Sequence, residues 1–292
     1  MLADLVLLGA NVVYATSYVA TRVTLGSVPP ATLAFARLVI GALILAPLIR
    51  PRGSEPPLSR GDHRAIAGMG ILGFAGAYVA SHWGIAWSTA TNAALLIVVE
   101  PLSLMLLSPA YLGERLSRRE AVGATLAITG TMLVVVNGLP GLTQTLVPHW
   151  RGDLLLIVAG LAYASYSLLG RRVLERHAAV GVTVRSLVWG AVAILPVVGA
   201  EWASGSQLVW TGPAVAGTLY LAVVITGLGY VAWNWALARV SAPRAALFLN
   251  VQPIVGALLG AALLGEPLSG FTIVGGAAIV TGLAVAFGSK PR

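Results

Sequence analysis

Leu112-Gly113-Glu114-Arg115-Leu116-Ser117 and Leu264-Gly265-Glu266-Pro267-Leu268-Ser269 stand 152 residues apart and differ at one position of six. Extended without a gap, the same shift lays Gly123 on Gly275 and Thr129-Gly130 on Thr281-Gly282. Toward the N-terminus it lays Tyr78-Val79-Ala80 on Tyr230-Val231-Ala232, Trp83 on Trp235, Ala93-Ala94-Leu95 on Ala245-Ala246-Leu247 and Pro101 on Pro253. A shift of 149 aligns Asp4 with Asp153 and Tyr14-Ala15 with Tyr163-Ala164. A chain rich in Ala, Gly and Leu produces chance matches, but not one register that includes Tyr, Trp, Pro and Glu. The chain reads as a repeat.

What is repeated is apolar. The 292 residues are 58% hydrophobic and 10% charged, with a mean hydropathy of +0.88. A soluble domain carries roughly a quarter charged residues, so a soluble globular fold is excluded, and so is disorder. The net charge of +8 does not imply a nucleic-acid partner, because the charges fall in short gaps between apolar runs. Ten runs approach the ~20 residues needed to span a bilayer: 3–23, 30–49, 65–86, 91–112, 119–137, 152–170, 181–200, 212–236, 242–264 and 269–287. The expected fold is an all-α membrane protein of ten transmembrane helices. It divides into a five-helix repeat at 1–138, an external linker at 139–150 and a second five-helix repeat at 151–292. Five is odd, so the second repeat enters the membrane inverted. The first run lacks a basic leader segment and does not read as a signal peptide.

Fourteen Lys and Arg flank one side of these runs, from Arg50 to Arg292, against Arg22 and Arg151 on the other. The positive-inside rule then puts both termini in the cytoplasm of a multi-pass inner-membrane protein. Trp87, Trp150, Trp202 and Trp210 fall at the outer interface, where a headgroup belt is expected. Inverted repeats suit a carrier that holds a substrate near the midplane between its halves. The Glu100-Pro101 to Ser117 and Gln252-Pro253 to Ser269 stretches, with Arg37 after Ala31-Thr32-Leu33-Ala34-Phe35, resemble the EamA family of the drug/metabolite transporter superfamily. Within it the chain is similar to amino-acid exporters of the YddG type. The resemblance covers essentially the whole chain. It implies outward export and a central cavity lined by helices 1, 3, 4, 6, 8 and 9.

Polar stripes at membrane depth must face protein or a water-filled cavity. Asn11, Tyr14, Tyr18 and Thr21 share one face of helix 1, and Tyr78, Ser81 and His82 one face of helix 3. Tyr163, Tyr166 and Ser167 mark helix 6, and Tyr230, Trp233 and Asn234 mark helix 8. The substrate-binding set expected from these faces is Asn11, Tyr14, Tyr78, His82, Glu100, Tyr163, Tyr230, Trp233, Asn234 and Gln252, with Arg37, Pro101 and Pro253 gating or structural. Glu100 sits near the bilayer middle. It could bind a substrate ammonium, carry a proton or pair with Arg37 at compatible depth. Pro101 removes a helix hydrogen bond and could free a carbonyl for substrate. Glu114 and Glu266, before helices 5 and 10, read as caps. The glycines Gly123, Gly130, Gly275 and Gly282 read as close helix packing, or alternatively a dimer surface.

Cys is absent, the four His are scattered, and no nucleotide-binding, nucleophile-elbow or metalloprotease motif occurs. No metal or cofactor is expected, and an enzyme is disfavoured. The expected function is a secondary transporter that exports small amphipathic metabolites, amino acids including aromatic ones foremost. The expected partners are that substrate and the lipid bilayer, and a monomer is expected over a dimer. A carrier of nucleotide-linked or phosphorylated solutes is the first alternative, disfavoured by a single deep cation. An intramembrane enzyme and a channel follow.

Overall fold

The computed structural model describes residues 2–49, 56–112, 117–137, 139, 149–229, 232, 248 and 251–287. Every regular element among them is helical. In chain order these are α1 (Leu2–Thr24), α2 (Pro30–Leu45), α3 (Arg60–Trp87), α4a (Ala90–Leu96), α4b (Val99–Leu112), α5 (Arg118–Val136), α6 (Trp150–Arg176), α7 (Ala179–Ala203), α8 (Gly212–Leu228), α9 (Val251–Leu264) and α10 (Gly270–Phe287). Six helices among the described residues are long and apolar enough to cross a membrane. The outward faces of the apolar helices need lipid: Leu72 is 54% exposed, Val122 60% and Leu263 66%.

Local chemistry sets several boundaries. Pro30 opens α2 at a position where a missing N–H is harmless. Ser59 and Asp62 form a reciprocal capping box at the start of α3, and Ser117 and Glu120 do so for α5. Pro101 has no N–H for the Ile97 carbonyl, and the helix tightens there instead. The Glu100 N–H donates to Ile97 O at 3.0 Å, and α4 breaks between Leu96 and Val99. The carbonyl that Pro101 releases therefore already has a backbone donor, contrary to the expectation that it meets substrate. Pro253 is buried in the first described turn of α9.

Two stretches wind more loosely, as π-helix, at Met69–Gly76 in α3 and Tyr220–Leu228 in α8. They lie in register under the 152-residue shift. The packing also comes in couples that exchange the two halves of the chain. α3 packs on α6 and α8 on α1; α4b packs on α6 and α9 on α1; α3 packs on α7 and α8 on α2. α2 with α7, α4a with α9 and α5 with α10 pair across the halves.

The α5–α10 contact explains its glycines. A Cβ on Gly123 would sit 2.5 Å from Gly282 O, and one on Gly130 would sit 2.5 Å from Gly275 O. Gly275 and Gly282 meet the backbone of α5 reciprocally. This face is covered within the chain, so it is not a dimer surface. It brings two backbones together where dispersion, rather than the hydrophobic effect, holds helices in lipid.

Candidate functional site

Arg37 is the eighth residue of α2, roughly 10 Å along it, and only 7% exposed. Its Nη1 lies 3.1 Å from His82 Nε2, its Nη2 lies 3.5 Å from Thr226 Oγ1, and its guanidinium carbon stands 4.4 Å from the centre of the Tyr78 ring. A guanidinium only donates, so His82 Nε2 accepts and Nδ1 carries the proton, which goes to Pro30 O at 3.0 Å. His82 is thereby a neutral imidazole with both nitrogens engaged. Tyr78 Oη also meets Thr226 Oγ1, at 3.4 Å. Thr226 lies in the π-helical stretch of α8, and α2 reaches it because Gly41 leaves room: a Cβ there would sit 2.7 Å from Thr226 Cγ2.

The Arg37–Glu100 pair that depth allowed is not formed, because Arg37 turns toward α3 and α8 instead. Glu100 is partly buried, and its carboxylate has no hydrogen-bond or ion-pair partner among the described residues. Tyr18 and Tyr163 lie within electrostatic reach of it, and Tyr163 lies within reach of Arg37 as well. The Tyr163 and Tyr78 rings pack edge to face, 6.0 Å between centres. Tyr14 neighbours Tyr78 and lies against Gly229. The chain thus brings Tyr14, Tyr78, Tyr163, Arg37 and Glu100 together from five helices.

Asn11 and Gln252 part from that set. Gln252 Nε2 donates to Asn11 Oδ1 at 2.8 Å, Tyr18 Oη donates to Gln252 Oε1 at 3.2 Å, and Asn11 Nδ2 donates to Leu7 O at 2.8 Å. Asn11 is fully buried, and its amide groups have partners inside the protein. These two residues clasp α1 to α9 rather than offering free groups to a substrate. The repeat makes Glu100 the counterpart of Gln252, while Gly160 and Ser167 are the counterparts of Asn11 and Tyr18. Gly160 packs directly on Val99 and on the Glu100 backbone nitrogen. The first repeat therefore carries an acid at this position, and the second repeat offers it neither the amide nor the phenol that Asn11 and Tyr18 give Gln252. Tyr230, Trp233 and Asn234 lie outside the described residues, as does Glu114.

Several carboxylates cap or clasp helices at places that the sequence did not reveal. Glu201 at the end of α7 accepts from the N–H groups of Ala31 and Thr32, both at 2.9 Å, and from Thr32 Oγ1 at 2.8 Å, capping α2. Glu266 accepts from the N–H groups of Ala90 and Thr91 at 2.8 and 2.7 Å. It caps α4a and not α10, whose first turn is held by Ser269. Gly265, with φ of +66°, turns the chain so that the carboxylate lies beside Gly260. At one end of the bundle Asp153 meets Ser88, Asn92 and His149 at 2.5, 3.0 and 2.8 Å. At the other, Asp62 holds Ser59 and Arg176, the latter at 2.6 Å. These carboxylates tie α6 to α3 at both ends. The match of Asp4 with Asp153 and the Ser59-x-x-Asp62 spacing were the available signals; Glu201 had none.

Among the described residues no cluster of three His, Asp or Glu could hold a metal. A groove of about 420 Å³ on the outer face of α5, lined by Ala121, Val122, Thr125, Leu126 and Thr129, lies away from all these polar groups.

Several of the chain's relatives are named as transporters or exporters. A "Probable terminal-alkyne amino-acid exporter" of Streptantibioticus cattleyicolor is 29% identical over 93% of this chain and 89% of its own length. A "Probable amino-acid metabolite efflux pump" of Salmonella typhimurium is 28% identical over 96% and 93%. One solved crystal structure matches 97% of both chains with a TM-score of 0.66 at 25% identity. The EamA-like transporter family matches residues 1–136 and 150–288. With its several lipid-length apolar helices, this chain is a multi-pass membrane protein and belongs to the EamA-like transporter family.

Proposed function

We propose that the chain is a secondary transporter exporting small amphipathic metabolites, amino acids including aromatic ones foremost, by alternating access. The observation that carries this reading is Glu100, a carboxylate in the middle of the bundle with no partner among the described residues, set among Tyr18 and Tyr163. A carboxylate in that position calls for a cation, and a substrate ammonium supplies one. The tyrosines around it suit a ligand that is part apolar and part polar.

Two inverted five-helix repeats, ten spans in all, support the mechanism. The helix contacts come in couples that exchange the halves, and the two π-helical stretches match in register. A site between two such halves can open to either side by rocking. The Arg and Lys distribution supports an inner-membrane location with cytoplasmic termini. The two named relatives support amino acids as substrates. Phosphorylated solutes are disfavoured, because Arg37 is alone as a deep cation among the described residues and a dianion calls for more than one.

Counterflow in proteoliposomes with labelled amino acids tests the reading. Exchange of phenylalanine, leucine or alanine down no net gradient is the expected result. Vesicles that exchange a sugar phosphate or nucleotide and no amino acid would overturn it.

A further inference from the structure

Arg37 poses a charge problem that the transport reading leaves open. It is more than nine-tenths buried near the middle of α2, and its Nε has no hydrogen-bond partner among the described residues. An Arg at the centre of a membrane helix is costly unless its charge is met. Its contacts reduce that cost, yet each of them is neutral. His82 presents a lone pair, Thr226 a hydroxyl and Tyr78 the face of its ring. Glu201, the carboxylate that meets α2, is already engaged by three donors at the start of that helix. Glu100 lies beyond ion-pair distance. The guanidinium is therefore positioned by neutral groups and left without an anion among the described residues.

We infer that Arg37 binds the carboxylate of the transported amino acid. The unpartnered Nε, the guanidinium charge and the neutral cradle of His82, Thr226 and Tyr78 together form a preorganised monoanion site. Tyr163 lies within electrostatic reach of both Arg37 and Glu100. A zwitterion would set its ammonium toward Glu100 and its carboxylate toward Arg37, with its side chain among the tyrosines. The site then selects free α-amino acids and rejects amines and amino-acid amides, which lack the anion. His82 and Thr226 are positioning residues that hold the guanidinium. This inference rests on the reading of the central cluster as the transport site.

The test compares phenylalanine, phenylethylamine and phenylalaninamide by binding to purified protein and by competition in counterflow. Wild-type protein should bind phenylalanine about 10- to 100-fold more tightly than either analogue, as expected for a charge-assisted hydrogen-bonded contact. In Arg37→Gln the affinity for phenylalanine should fall to that of the amine, while amine binding stays within about twofold. The wild-type comparison needs no variant, so misfolding of Arg37→Gln cannot hide the answer. If wild-type protein binds phenylalanine, phenylethylamine and phenylalaninamide alike, the Arg37 assignment is overturned while the amino-acid reading stands. The same holds if Arg37→Gln keeps the wild-type preference. If wild-type protein binds no amino acid at all, the transport reading falls and the Arg37 assignment falls with it.

Discussion

Arg37 Nη1 and His82 Nε2 lie 3.1 Å apart, so the imidazole accepts from the guanidinium and gives its own proton to Pro30 O. This one contact links the middle of α2 to α3 and fixes the tautomer of a histidine that spacing alone presented as cavity-lining.

Replacing His82 by Leu should leave an Arg37 donor and the Pro30 carbonyl without that partner. The folded protein should lose stability on the order of 1–3 kcal/mol for each orphaned group. His82→Gln, which offers an acceptor and a donor, should recover part of it. Thermal unfolding in detergent measures both, and equal midpoints for His82→Leu and the wild type would refute the arrangement.

Glu100→Gln should behave differently. With no partner to lose among the described residues, the variant should unfold at the wild-type temperature. Its affinity for every amino acid should drop by about 10- to 100-fold. Were Glu100 a proton carrier, exchange would survive and only the response of accumulation to a pH gradient would vanish. A destabilised Glu100→Gln rescued by an uncharged residue at Arg37 would restore the ion pair that this structure lacks.

The two capping carboxylates act across helices, so their removal should loosen packing rather than fray one end. Glu201→Ala strips partners from the Ala31 and Thr32 N–H groups, and Glu266→Ala does the same at Ala90 and Thr91. Each should cost about 1–3 kcal/mol. Hydrogen exchange should rise at the first turns of α2 and of α4a respectively. Faster exchange at the first turn of α10 in Glu266→Ala, with α4a unaffected, would contradict the assigned cap.

Gly130→Val should disrupt the α5–α10 contact, because the added side chain meets the Gly275 carbonyl and the Ile279 nitrogen. Folded yield should collapse. Gly199→Ala, where nothing lies within 4 Å, is the matched control and should express normally. Comparable yields from the two variants would mean that the backbones do not approach so closely.

Topology can be read without removing background thiols, since the chain has no Cys. A membrane-impermeant maleimide should label Ser206→Cys from outside the cell and Ser54→Cys only after the cytoplasm is opened. The reverse pattern would invert the orientation and the direction of export drawn from it.

The sequence by itself determined the all-helical, apolar character of the chain and the place of each polar residue along its helix. Backbone groups in lipid must bond within their own helix, so apolar length reads directly as a span. Pro101 announced a lost hydrogen bond in α4 because a missing N–H needs no tertiary context to take effect. Depth along each helix was legible too, which is why Arg37, His82 and Glu100 were all singled out at compatible levels. Which of them meet was not legible. A residue's depth follows from counting, but its partner depends on the rotation of two helices about their axes and on the gap between them. Small residues such as Gly41 and Gly160 set that gap. Only the tertiary structure turned Arg37 toward His82 and Thr226 and away from Glu100. It alone closed Asn11 on Gln252 and swung Glu266 beyond Gly265 onto another helix. Each of these contacts joins groups far apart in the chain, where no local periodicity carries their pairing.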